Sequence, residues 1–221
     1  MGTRNGHVIA RRGAGRFFEA GLGYDLGVWF LDAFLDRGKV TQIRQEVLAL
    51  AGLEPTTTLL DVGCGTGALA IAAAKWIGTG GAVSGIDISP RQISRARSKA
   101  RRAGLDIDLR RGSIDALPFS DQGFDVVTAT LMLHHLGEDM QRAGVAELMR
   151  VLKPPGRIVV AELSRAADGP PQAPHRRVHA IDDVEELLEG AGLAVGESSS
   201  VLLRRPHKGW SGARIVSATA R

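Results

Sequence analysis

The chain has 221 residues and a mass of 23.4 kDa, which suits one domain or one domain with a small appendage. Its hydrophobic fraction of 44% and charged fraction of 24% are ordinary for a soluble globular protein. A single cysteine, Cys64, excludes an intramolecular disulfide and a zinc site built from several thiolates, and the surplus of four Lys and Arg over acids leaves anionic partners open.

Residues 1–23 are rich in Gly and Arg without periodicity and read as a loose basic arm. The start, MGTRNGHVIARRG, lacks the apolar block of a signal peptide, and no apolar stretch approaches the ~20 residues of a membrane span, so a cytoplasmic protein is expected. From Tyr24 to Gly52, Leu26, Trp29, Phe30, Phe34, Ile43, Val47 and Leu50 recur at helical spacing, and Gly38 divides the run into two helices. Thr58 to Val62 is a short apolar, β-branched strand that ends on a cluster of glycines. Gly67 to Ile77 is helical and Ala82 to Asp87 is a second strand. Ser89 then caps a helix with Pro90 at its first position, running to about Ala103 and stopping at Gly104.

Further strands are expected at Asp106 to Arg111, Phe124 to Ala129 and Arg157 to Leu163, with a helix over 138–152. Strands alternating with helices at this spacing indicate a parallel sheet with right-handed crossovers. After a Pro-rich loop, Gly169 to Pro174, a helix covers Ile181 to Ala191. Two β-rich segments, Leu193 to Leu203 and Ser211 to Ala220, close the chain as a hairpin, which places an antiparallel strand in a doubly wound sheet. The fold class is therefore α/β: a Rossmann-like, mostly parallel seven-stranded sheet with an antiparallel C-terminal hairpin strand. Residues 24–221 form one domain, with helices over 24–52 as a lid.

The richest segment is Leu59-Leu60-Asp61-Val62-Gly63-Cys64-Gly65-Thr66-Gly67. Glycines between a strand and a helix let the backbone turn tightly, bring a ligand against it and leave helix N–H groups free. The same residues satisfy the GxGxxA form of the dinucleotide fingerprint, which alone is weak. Asp61 puts a carboxylate at the strand tip, where it repels a pyrophosphate and suits a cationic or ammonium-bearing ligand. Asp87, ending the second strand, can accept both hydroxyls of a ribose. Gly112-Ser113-Ile114-Asp115 follows the third strand, where a loop can hold a base edge. The plainer role for both acids is capping of neighbouring helices.

Together, LLDVGCGTG at 59–67, GIDIS at 85–89, LPFSDQGFDVV at 117–127, TLMLHHL at 130–136 and RVLKPPGRIVVAE at 150–162 resemble the class I S-adenosylmethionine-dependent methyltransferases, nearest to the ubiquinone/menaquinone-biosynthesis C-methyltransferase type. The resemblance covers about residues 24 to 220 and is specific for cofactor and fold rather than acceptor. It implies that Asp61, Gly63, Cys64, Gly65, Thr66 and Gly67 wrap the methionine part of S-adenosyl-L-methionine, with S-adenosyl-L-homocysteine as product. It implies that Asp87 accepts the ribose hydroxyls, Ile88 flanks the adenine and Ser113-Ile114 reads its edge. Relatives often carry Asp or Asn where Ser113 stands, so a hydroxyl replaces a stronger acceptor, and Asp115 takes a secondary place. Thr130 matches a position that touches the cofactor, and Tyr24-Asp25 resembles an element closing over its methionine end.

Methyl transfer from a sulfonium is an in-line displacement, so alignment and water exclusion supply much of the rate. A base is needed only where the acceptor must lose a proton; His134, His135 and Tyr24 are the catalytic candidates, although His134-His135 also suits a purely structural turn after the fourth strand. His175 and His179 receive no role. Longer relatives build an acceptor pocket from an insertion before the last helix. The short stretch Ser164 to Ala180 here leaves that work to Trp29, Phe30 and Phe34, and favours a small, partly apolar acceptor. No metal is called for, and a monomer or homodimer is expected. The basic surplus reads as spread over a solvated surface, which makes nucleic acid a secondary partner despite RARSKARRAGLDIDLRR at 95–111. An RNA methyltransferase and a non-catalytic cofactor-binding module are the competing functions. An NAD(P)-linked reductase is disfavoured by Asp61 and by the lack of a Tyr-x-x-x-Lys pair.

Overall fold

A computed structural model of the chain describes residues 38–165, 184–207 and 210–220. The basic arm, the first lid helix with Tyr24, Trp29, Phe30 and Phe34, and the loop histidines His175 and His179 lie outside the described residues. The second expected helix is present as α1 (Lys39–Ala51), which buries Ile43, Val47 and Ala51 along one stripe and ends at Gly52 with φ of 59°.

Seven strands form one sheet: β1 (Thr58–Val62), β2 (Ala82–Asp87), β3 (Asp108–Arg111), β4 (Phe124–Thr130), β5 (Leu152–Arg165), β6 (Leu193–His207) and β7 (Trp210–Ala220). Their order is β3-β2-β1-β4-β5-β7-β6, and β7 runs antiparallel to both neighbours while the pairs from β3 to β5 are parallel. The chain leaves β1 toward β3 and returns to place β4 on the other side of β1. That reversal opens a crevice at the carboxyl ends of β1 and β4, the position where open α/β sheets bind ligands.

Period-two alternation sorts the sheet residues between two cores. Leu59, Val83, Val126 and Val159 pack with α1, α2 (Ala68–Ile77) and α3 (Pro90–Arg102). Leu60, Val62, Val127 and Ile158 pack with α4 (Glu138–Val151) and α5 (Val184–Gly190). α3 buries Ile93, Ala96 and Ala100, and Ser89 caps it by accepting a bond from the Gln92 amide at 3.3 Å. No helix among the described residues is long and apolar enough to cross a membrane.

The boundaries differ where pairing rather than composition decides. β3 begins at Asp108, two residues after the expected start at Asp106, and pairs with β2 alone at one end of the sheet. β5 begins at Leu152 instead of Arg157, because Leu152 pairs with Phe124 before a register shift. β6 runs on to His207, through residues read as the start of a loop, because the long hairpin partner β7 continues to Trp210.

Candidate functional site

Four strand ends and the loops after them build the site. Asp61 sits one residue before the end of β1, and alternation turns it toward the α2 side, where it is 2% exposed. Its register partner across the crevice is Thr128, whose hydroxyl donates to Asp61 Oδ1 at 3.0 Å. The Ala70 amide, in the first turn of α2, also pulls the pKa of this carboxyl down. Burial nevertheless pushes the Asp61 carboxyl up from 3.8 to about 7, with repulsion from Asp87 adding to it.

Beyond Asp61, Gly63, Gly65 and Gly67 take φ of 71°, 53° and 76°. At Gly63 a Cβ would stand 2.8 Å from Met132 Cγ, so only glycine lets the loop lie against the segment after β4. Gly67 begins α2 with no side-chain cap, which leaves the helix N–H groups to the loop. The Thr66 hydroxyl accepts from Lys99 Nζ at 2.7 Å, a contact that the loop motif does not show. Cys64 is buried, and desolvation together with Asp61 and Asp87 pushes its thiol far above the ordinary range. It stays protonated and serves as packing, not as a nucleophile.

Asp87 ends β2 and ties the loop to it: Oδ2 accepts from the Gly65 amide at 2.9 Å and Oδ1 from the Ser89 amide at 2.8 Å. Burial raises its pKa against the pull of those two amides. Asp87 thus braces the glycine loop and the residue that caps α3, and is not itself a helix cap. This leaves each Asp87 oxygen with a further lone pair. Ile88 is half-buried beside it, with its carbonyl accepting from Arg111 Nε at 3.2 Å. In the next loop the Ser113 hydroxyl donates to Asp115, so the two residues act as one polar unit instead of a primary and a secondary position. Ile114 is 5% exposed and packs against Gly144 of α4 and the second core, which leaves its backbone as the part able to face a ligand. Arg150 holds this side of the site. It donates to the Leu117 and Phe119 carbonyls and pairs with Glu147 and Asp121, so the motifs at 117–127 and 150–162 lock each other.

At the tip of β4 the Thr130 hydroxyl is buried and has no hydrogen-bond partner. Leu131 follows with φ of 53°, a left-handed conformation costly for a leucine. Leu133, His134 and His135 then form a 3-10 turn, with Leu133 fully buried in the second core. His134 is buried and His135 is exposed, with ring centroids 4.1 Å apart. His135 is pushed down from 6.5 to about 4 by desolvation and then by the His134 ring, and water at its exposed edge limits that effect.

The residue that orders this turn is Glu162, which the sequence motif contains without marking. Its Oε1 accepts from the Met132 and Leu133 amides at 2.9 and 2.7 Å, and its Oε2 lies 2.6 Å from His134 Nδ1. The available signal was a single acid ending the apolar strand Arg157-Ile158-Val159-Val160-Ala161-Glu162.

The donor set fits a nucleoside that carries positive charge at its far end. A buried carboxylate, Asp61, and a half-buried one, Asp87, flank the glycine loop and an orphaned hydroxyl waits at β4, whereas a pyrophosphate would meet Asp61. The structure brings Asp87 against the glycine loop and sets Asp61 on the adjoining strand end, with Thr130 at the tip of the neighbouring β4. Tyr24 lies outside the described residues.

Residues 59–156 match the family model described as a methyltransferase domain. The demethylmenaquinone methyltransferase of Bacillus cytotoxicus is 33% identical over 123 residues, which is 55% of this chain and 51% of that protein. This chain thus spans about half the length of the curated relatives it matches. A SAM-dependent methyltransferase from Aquifex aeolicus superposes with a TM-score of 0.67 at 24% identity, over 86% of this chain and 97% of that one. The [4+2]-cyclase SpnF superposes with a TM-score of 0.69, also at 24% identity, over 81% of this chain and 80% of its own.

Proposed function

We propose that this chain, a class I S-adenosylmethionine-dependent methyltransferase by fold and motif, transfers a methyl group from S-adenosylmethionine to a small, partly apolar acceptor of the quinol or phenol class. The observation that carries the proposal is the meeting of Asp61, Asp87 and the unpartnered Thr130 hydroxyl around one glycine loop. Asp61 faces the ammonium end, Asp87 takes the ribose hydroxyls, the Ser113–Asp115 pair and the Ile114 backbone take the adenine edge, and Thr130 closes the contact from β4. The sulfonium supplies an electrophilic methyl and a neutral leaving group. What remains for the protein is to bind, orient and exclude water. In this reading His134, held by Glu162, takes the proton from an acceptor hydroxyl. His135, pushed down to about 4, is a poorer base at neutral pH. The kinship with demethylmenaquinone methyltransferases supports a quinol-like acceptor. The cyclase among the structural neighbours is a reminder that the fold hosts other chemistry.

Thermal unfolding with added ligand tests the cofactor, and turnover with quinols, phenols, amines and RNA tests the acceptor. Stabilisation by S-adenosylmethionine and its demethylated product but not by NADPH supports the proposal; the reverse pattern overturns it.

Methyl transfer to RNA is a second reading favoured by one observation. Residues 91–111 hold eight Lys and Arg against Asp106 and Asp108, a net charge of +6, while the whole chain is +4. These cations fall on α3 and the edge strand β3, where most of them are exposed. Several of these cations are already engaged internally, as in Arg97 with the Leu109 carbonyl and Arg110 with Asp108. RNA binding that survives moderate salt would favour this reading, because loose phosphate contacts decay steeply with salt.

A further inference from the structure

We infer that Glu162 is a positioning residue that sets the tautomer of His134, placing the proton on Nδ1 and leaving Nε2 as the ring's lone-pair nitrogen for the acceptor's proton. The inference rests on the methyl-transfer reading for its purpose, and on geometry alone for its chemistry. Glu162 is 1% exposed, and its neighbours are donors. Both Met132 and Leu133 amides point at Oε1, and a carboxylate offers only acceptors, so the 2.6 Å approach of His134 Nδ1 to Oε2 requires a proton on that nitrogen. The cross-strand partner of Glu162 in β7 is Arg214, yet that guanidinium turns to Glu185 and Ser200. Apart from a long bond from the adjacent Leu163 amide to Oε2 at 3.4 Å, Glu162 is thus left to the turn and to His134.

A loop staple would need only the two amides. The bond to His134 adds the logic of the carboxylate–histidine pair, in which a buried acid fixes the ring and stabilises the imidazolium once formed. Where the accepting atom is a hydroxyl oxygen, the acceptor O–H bond breaks as the O–CH3 bond forms and the S–CH3 bond breaks. The proton goes to His134 Nε2, Nδ1–H stays with Glu162, and the sulfonium departs as a neutral thioether. Glu162 is also positioned to hold Leu131 in its left-handed conformation, since the two following amides are fixed on its side chain.

Glu162→Gln separates the two roles. The amide oxygen can keep the short bonds from Met132 and Leu133, which outweigh the 3.4 Å bond from the Leu163 amide, so the NH2 group faces His134 Nδ1 and forces that nitrogen to accept. In protein carrying 15N-histidine, with His134 identified through His134→Phe, long-range 1H–15N correlation should show Nδ1–H in the wild type and Nε2–H in E162Q. With an acceptor in hand, kcat should fall on the order of 10²–10⁴-fold, the range general-base help contributes, while KM for S-adenosylmethionine holds. Glu162→Asp should restore the Nδ1–H tautomer. An Nε2–H or doubly protonated His134 in the wild type near pH 7.5, or an unchanged tautomer in E162Q, overturns the inference. If E162Q fails to fold, the wild-type spectrum decides alone. Stabilisation by S-adenosylmethionine is read separately, so loss of the methyltransferase reading would leave the tautomer result standing.

Discussion

Asp61→Asn is the sharpest perturbation, because the site charges the fold for holding this acid. Its carboxyl is pushed from 3.8 to about 7, so between those values the folded state binds more protons than the unfolded state. Stability from this group is therefore greatest below about pH 4, falls as pH rises, and levels off above about pH 7. A gap of that size, at about 1.4 kcal/mol per unit, corresponds to a loss on the order of 4 kcal/mol. Asp87 is shifted in the same direction, whereas Asp125 and Glu147 are lowered and act oppositely, so the total pH profile mixes signs. The difference between wild type and Asp61→Asn isolates the one group. Urea unfolding of both proteins from pH 4 to 8 should show the wild type losing on the order of 4 kcal/mol relative to the variant, apart from a constant offset of about 1–3 kcal/mol for the Thr128 bond and the Ala70 amide. Parallel curves would refute the reasoning. A cation at the site favours the ionised form, so S-adenosylmethionine should bind more tightly as pH rises toward 7 and lose that dependence in the variant.

Further outcomes follow from the same geometry. Asp87→Ala should abolish thermal stabilisation by S-adenosylmethionine while circular dichroism stays native; retained stabilisation removes Asp87 from the ribose role. Gly63→Ala meets Met132 and a φ of 71°, and should cost about 1–3 kcal/mol in chemical denaturation along with cofactor binding. Ser89→Ala deletes the α3 cap and should cost about 1 kcal/mol, a loss that urea midpoints resolve. Arg150→Ala should speed amide hydrogen exchange over residues 117–121 and leave β1 and β2 protected, because Arg150 holds that loop by its carbonyls.

The alternating apolar strands, the Ser89-Pro90 helix start and the acids closing β1 and β2 were legible in the chain because each depends on neighbours a few residues apart. β1 and β2 fall where expected for that reason. The strand ends that moved, at Leu152 and His207, depend on which partner lies alongside, a choice made between distant segments. The same distinction governs the site. Which residue types could meet a cationic nucleoside was readable from Asp61, the glycines and Asp87. That burial pushes the Asp61 carboxyl up to about 7, that Thr130 keeps an unpaired hydroxyl, and that Glu162 reaches back 28 residues to His134, were decided by tertiary packing. Desolvation and hydrogen bonding across the sheet belong to no local stretch of sequence, because they exist only once β1, β4 and β5 stand side by side.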